Sequence, residues 1–155
     1  MSQAPGRKAH DQNRAWDDPG GKRLKQWLDV DDASFYNPDN FAVVPMGFCY
    51  PGKGKTGDLP PRKECAPLWH SKVWKAFKDV QLTILIGKYS QDYYLKERSK
   101  KNLTETIRSY QTYLPSQFVL PHPSPVNRFW LIKNPWFETE IVPELQKIVS
   151  EILKK

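Results

Sequence analysis

With 155 residues, 39% hydrophobic and 13% aromatic, the chain has the composition of one globular domain with one substantial core, which excludes a disordered chain and argues against two domains. A net charge of +7, from 24 Lys and Arg against 17 Asp and Glu, favours a polyanionic partner such as nucleic acid over an acidic protein surface. No run of about eighteen apolar residues exists to span a membrane, and MSQAPGRKAH has no apolar signal core, so a cytoplasmic, thiol-reducing compartment and a monomer are the expectation.

In chain order, SQAPGRKAHDQNRAWDDPGG reads as a loop, and after Pro19 the residues Leu24, Trp27 and Leu28 share one helical face. The run FAVVPM (Phe41 to Met46) reads as a strand. A helix follows with Trp69, Val73 and Phe77 recurring as its apolar face, and VQLTILIG (Val80 to Gly87) reads as a second strand. Leu103, Ile107, Tyr110 and Leu114 form another helical stripe, and QFVLPHPSP begins as a third strand that proline halts. The last helix carries Ile141, Leu145, Ile148, Val149 and Ile152 on one stripe, with Pro143 in its first turn. The strands are continuously apolar rather than alternating, the pattern of strands covered on both faces. Alternation of strand and helix gives an α/β class: a three-layer α/β/α sandwich around a short, mostly parallel central sheet. Sites in such sheets lie in the loops after the strands.

The stretch GFCYPGKGKTGDLPPRKEC, Gly47 to Cys65, has the spacing of a phosphate-binding loop, with Gly47 and then Gly52-Lys53. The hydroxyl residue that should follow is Gly54, and in the alternative register Cys49 stands where glycine is due. Gly57, Pro60 and Pro61 also forbid the helix that must follow at once. A nucleotide-hydrolysing loop is therefore rejected. A zinc-structured domain using Cys49, Cys65, His70 and His122 matches no standard module spacing.

SQAPG near the start and HPSPVN about a hundred residues later, each at a site loop of a basic α/β chain, resemble the opening and closing loops of the uracil-DNA glycosylase superfamily. AWDDPGGKRL and NPWFETEIVPEL extend the likeness towards a bacterial branch related to the iron–sulfur type. The resemblance implies a monofunctional DNA glycosylase of base excision repair acting on DNA with uracil or another deaminated base. Its rival is a non-catalytic DNA-binding member of the same fold. It also implies that the chain begins where the family's first strand ends, so that the expectation is a product truncated ahead of a central strand or, as the alternative, a trimmed fold with vestigial cysteines. In the iron–sulfur branch, thiolates at the positions of Cys49 and Cys65 hold two corners of a 4Fe-4S cluster, and an upstream cysteine pair holds the others. The expectation is a cluster in a longer form and none in this chain, where Cys49 and Cys65 otherwise read as buried apolar thiols.

The same resemblance assigns roles. His122, with proline on both sides, stabilises negative charge on the departing base. Trp16 stacks the extruded base beside the first-loop residues Ala4 and Pro5, or else reads as a core tryptophan covering the next helix, and Pro45 or Met46 aligns with the family's pyrimidine-reading asparagine. Gln3 and Ala4 stand where relatives carry water-handling carboxylates. Gln3 can position water without taking its proton, and Asp17 or Asp18 could substitute, although an Asp pair ahead of Pro19 also reads as a helix cap. Val126 takes the place of the residue that wedges into the duplex, extended by Arg128 and Phe129, while Ser124 and Asn127 grip phosphate. Lys53, Lys55, Arg62 and Lys63 read as a phosphate clamp or a solvated loop, and Lys96 to Lys101 as solvated surface.

Overall fold

The structure, a computed structural model, describes Met1 to Lys154. The elements in chain order are the helices α1 (Arg7–Asp11), α2 (Pro19–Leu28) and α3 (Asp32–Phe35), the strands β1 (Lys53–Gly54) and β2 (Gly57–Asp58), then α4 (Cys65–Ala76), β3 (Thr83–Ile86), α5 (Lys88–Leu95), α6 (Leu103–Arg108), β4 (Gln117–Leu120), α7 (Arg128–Lys133) and α8 (Val142–Leu153). The class is α/β with short sheets. Two compact units divide the chain: the first takes Met1–Ala15 and Val44–His122, the second Trp16–Val43 and the residues from Pro123 onward.

In the first unit β3 and β4 pair in parallel, with Thr83 opposite Gln117 and Ile86 opposite Leu120. Leu85, Phe118, Val119 and Leu120 are wholly buried, as continuous apolar strands require. The start of the chain joins this sheet. The Met1 nitrogen donates to the Ile84 carbonyl at 2.8 Å and the Ile86 N–H donates to the Met1 carbonyl at 2.8 Å, the bracketing that a parallel neighbour makes. Burial lowers the pKa of the Met1 amine from 8.0 to about 5. On the other side Ser2 bridges Pro45 in parallel, the Met46 N–H donates to Ser2 at 2.7 Å and the Gly47 N–H to Gln3 at 3.0 Å. Four parallel segments thus lie side by side in the order Pro45–Gly47, Met1–Gln3, β3, β4.

Two sequence expectations change here. The strand expected over Phe41–Met46 contracts to the single bridge at Pro45, because proline has no N–H for a ladder and Ala42 and Val43 are exposed. On α4 the inward residues are Ala66 and His70, not Trp69, which is half exposed with the Lys72 ammonium 4.8 Å from its ring centre. The apolar spacing misled because His70 is buried with both ring nitrogens hydrogen-bonded, which makes a polar residue acceptable inside. The α6 stripe continues through Ile107 and Tyr110 as expected, but Tyr113 is buried and Leu114 only half so, since a 3-10 turn over Tyr110–Tyr113 shifts the phase.

The carboxyl ends of β3 and β4 are clamped by α5. Buried Gln91 donates to the carbonyls of Leu85 (3.2 Å) and Leu120 (2.8 Å), and Ser90 donates to those of Ile86 and Gly87. The Gly87 N–H donates to Leu120 at 2.8 Å, so the ladder runs one residue past the strand before Gly87, at φ +79°, turns the chain into α5.

The second unit is built on α2 and α8. Leu24, Trp27 and Leu28 are buried as expected, and each such side chain contributes about 1.5–3 kcal/mol of transfer free energy. Trp27 meets Phe137 edge-on at 4.9 Å, and its indole N–H donates to Glu138 at 3.0 Å. Ile141, Leu145 and Val149 line the inner face where α8 begins and runs, with proline in its first turn.

Candidate functional site

In the first unit the carboxyl ends of the parallel segments carry the opening loop, Gly87 and His122. His122 follows β4 after Pro121, and Pro121 and Pro123 are both fully buried, so the backbone on each side of the imidazole is fixed. The ring is half buried and rests on Gly87: a Cβ at Gly87 would lie 3.4 Å from the His122 Cβ and 3.6 Å from its Cδ2. Gly87 thus serves twice, for its left-handed backbone and for its flat face. Gln3, Ala4 and Pro5 lead away from the Met1–Gln3 segment, all half buried, and Pro45 and Met46 flank that segment. Of the expected site residues, this unit therefore gathers Gln3, Ala4, Pro5, Pro45, Met46 and His122 at the ends of adjoining parallel segments.

The second unit brings together Trp16, Asp18 and Ser124 around the start of α2. Asp18 Oδ1 accepts the Gly21 amide at 2.7 Å, so of its two sequence readings the capping role is the one observed. Asp17 is half buried just before it. Trp16 sits at φ 60°, a conformation that a bulky residue rarely adopts and that costs about 1–3 kcal/mol. Gly21 permits it, since a Cβ there would be 1.8 Å from the Trp16 carbonyl oxygen. A Cβ at Gly20 would meet the Asp18 carboxylate at 3.3 Å and the Ser124 backbone at an ordinary contact of 3.6 Å. Arg23 donates to the Pro123 carbonyl at 3.2 Å and holds the same loop. Sequence reasoning missed Gly21 and Arg23, although two glycines just inside a capped helix, where propensity opposes them, were the available signal.

Beyond Ser124 the chain turns outward. Val126 and Phe129 are 83% and 76% exposed, and Arg128 is also exposed. Asn127 is half buried in the 3-10 turn Pro125–Asn127 that Ser124 caps. On the other side of α7, Trp130 packs edge-on against Trp136 and Phe137, which fixes the helix that carries Phe129.

Lys53, Lys55 and Arg62 are exposed, and Lys53 lies in a two-residue hairpin with Lys55-Thr56 at its tip, opposite Asp58. Gly47 to Cys65 therefore forms a hairpin loop, and α4 begins only at Cys65. Cys49 is exposed and Cys65 half exposed, which corrects the reading of two buried thiols. A 4Fe-4S cluster takes four protein ligands. The sequence has two cysteines, and no group of three or more His, Cys, Asp or Glu suited to a metal occurs among the described residues. The residues present do not fit the cluster.

No described helix is long and apolar enough to cross a membrane. The family model described as the Uracil DNA glycosylase superfamily matches residues 1–146, and the chain belongs to that superfamily.

Proposed function

We propose that the chain is a monofunctional DNA glycosylase that hydrolyses the N-glycosidic bond of uracil or a related deaminated base during base excision repair. The observation that carries this reading is His122, an imidazole fixed between two buried prolines on the flat face of Gly87, at the carboxyl end of a parallel strand. A ring immobilised before the reaction stabilises developing charge on a base carbonyl without reorganising, and that is the main electrostatic demand of base departure. The oxocarbenium-like sugar then takes a water. Gln3 orients that water through its amide, and Asp17, the carboxylate beside the capping Asp18, takes its proton. In the second unit, Trp16 supplies a stacking face, Ser124 and Asn127 phosphate contacts, and Val126 with Arg128 the insertion into the duplex. Lys53, Lys55 and Arg62 hold the flanking backbone, with a salt dependence to match.

A second reading, DNA binding without chemistry, is supported by Gln3 and Ala4 in the first loop, neither of which can take a proton from water. One experiment separates the two. A uracil-containing duplex is incubated with the protein and abasic sites are then cleaved with alkali. The glycosylase reading expects strand scission that falls by about 10²–10³ in His122→Ala, the loss typical of one transition-state donor. No scission by either protein, with DNA still bound, leaves only the binding role.

A further inference from the structure

His70 is the buried titratable group for which the chemistry above has no use. It is 2% exposed, stacked on Tyr94 with ring centres 5.8 Å apart and met edge-on by Phe48 and Tyr93, each at 5.9 Å. Its Nε2 lies 3.0 Å from the Pro45 carbonyl and its Nδ1 2.5 Å from the Tyr94 hydroxyl, which also accepts the Trp74 indole N–H at 3.0 Å.

These contacts allow one assignment of protons. A carbonyl only accepts, so Nε2 must carry hydrogen. An indole N–H only donates, so the Tyr94 oxygen accepts from Trp74 and sends its own hydrogen to a lone pair on Nδ1. Burial raises the Tyr94 pKa, despite the opposing Trp74 hydrogen bond, which keeps this hydroxyl a donor. The direction of donation is therefore Trp74 to Tyr94 to His70 to Pro45, and no polar atom along it is left over. A second proton on the ring would set Nδ1–H against the Tyr94 hydroxyl and leave that hydroxyl without an acceptor.

The Pro45 carbonyl belongs to the same peptide as the Met46 N–H, and the two point to opposite sides. The N–H faces inward to Ser2 at 2.7 Å and the carbonyl faces outward to His70. The outer side of this segment would otherwise be an unpaired sheet edge, and His70 takes the place of the next strand. We propose that His70, as the neutral Nε2–H tautomer, is a positioning residue that fixes the Pro45–Met46 peptide and, through it, the Ser2–Gln3 stretch of the opening loop. The catalytic consequence rests on the glycosylase reading above; the structural consequence does not.

Two measurements test this. Nitrogen-15 spectra of the His70 ring at neutral pH should show a neutral imidazole protonated at Nε2. Hydrogen exchange at the Met46 and Gly47 amides should quicken by about tenfold or more in His70→Leu, and His70→Gln, which restores a donor at the Nε2 position, should recover most of the protection. On uracil-containing duplex the leucine variant should lose about tenfold or more in kcat with KM little changed, again with recovery by glutamine. A ring protonated at Nδ1 or doubly protonated, or amide exchange in folded His70→Leu equal to wild type, overturns the proposal. If wild type excises no uracil, the glycosylase reading fails and tautomer and exchange still decide the positioning role. If His70→Leu does not fold, the tautomer together with exchange in His70→Gln and Tyr94→Phe decides it, with Tyr94→Phe expected to fall between wild type and loss.

Discussion

The two units fix their candidate site residues by opposite means. In the first, positions at the strand ends are set by directed polar contacts: Gln91 on two carbonyls, Ser90 on two more, His70 on the Pro45 carbonyl. In the second, Trp16 is set by the absence of atoms, since Gly21 lets its backbone close on the start of α2. A hydrogen bond that is lost leaves a polar group that water can partly satisfy after a small opening. A backbone contact that a new Cβ occupies has no such outlet, so the second device should be the more brittle.

Gly21→Ala tests this most severely. The new Cβ would lie 1.8 Å from the Trp16 carbonyl oxygen, and backbone must move to admit it. A loss of about 3 kcal/mol or more in urea unfolding is expected, the upper end for overpacking. Gly20→Ala is the control: its nearest neighbour is the end of the Asp18 side chain at 3.3 Å, which can give way, so its cost should be clearly smaller. Equal losses would show that the close approach at Gly21 is not what holds Trp16.

Gln91→Leu probes the first unit and should cost about 1 kcal/mol, the net worth of a buried hydrogen bond. The Leu120 carbonyl keeps the Gly87 N–H and the Leu85 carbonyl keeps its place in the parallel β3–β4 ladder, so neither is stranded. The accompanying sign is faster hydrogen exchange at Gly87, next to His122. A cost as large as that of Gly21→Ala would erase the contrast between the two units.

The same contrast explains what could be read in advance. Burial of Leu24, Trp27 and Leu28, the proline-halted strand at Gln117 and the proline-flanked His122 follow from local rules of periodicity and backbone restriction, and all were legible. Devices that depend on what lies opposite were not. The apolar spacing of α4 pointed inward at Trp69, and only the partners at Pro45 and Tyr94 make the burial of His70 tolerable. Pro45 sat in an apolar run that reads as a strand, yet its missing N–H reduced the pairing to one bridge. The left-handed backbone of Trp16 has no signature in its own neighbours, because its cause is a glycine five positions on.

The smallest effect on stability should come from Phe129→Ser. Phe129 is 76% exposed, and its removal uncovers no core, so unfolding should shift by no more than about 0.5 kcal/mol. Val126, Phe129 and Ile132 are the most exposed large apolar residues of the described chain, three apart along the Pro125–Lys133 stretch, whose only charged residues are Arg128 and Lys133. Exposed apolar side chains interspersed with two cations are costly to leave in water and suit a partner with an apolar interior and an anionic exterior, which is the make-up of an opened duplex. Weaker binding to uracil-containing duplex without loss of stability is the expected result, read by titration of a labelled oligonucleotide at fixed salt. Unchanged binding would assign Phe129 no part in DNA recognition.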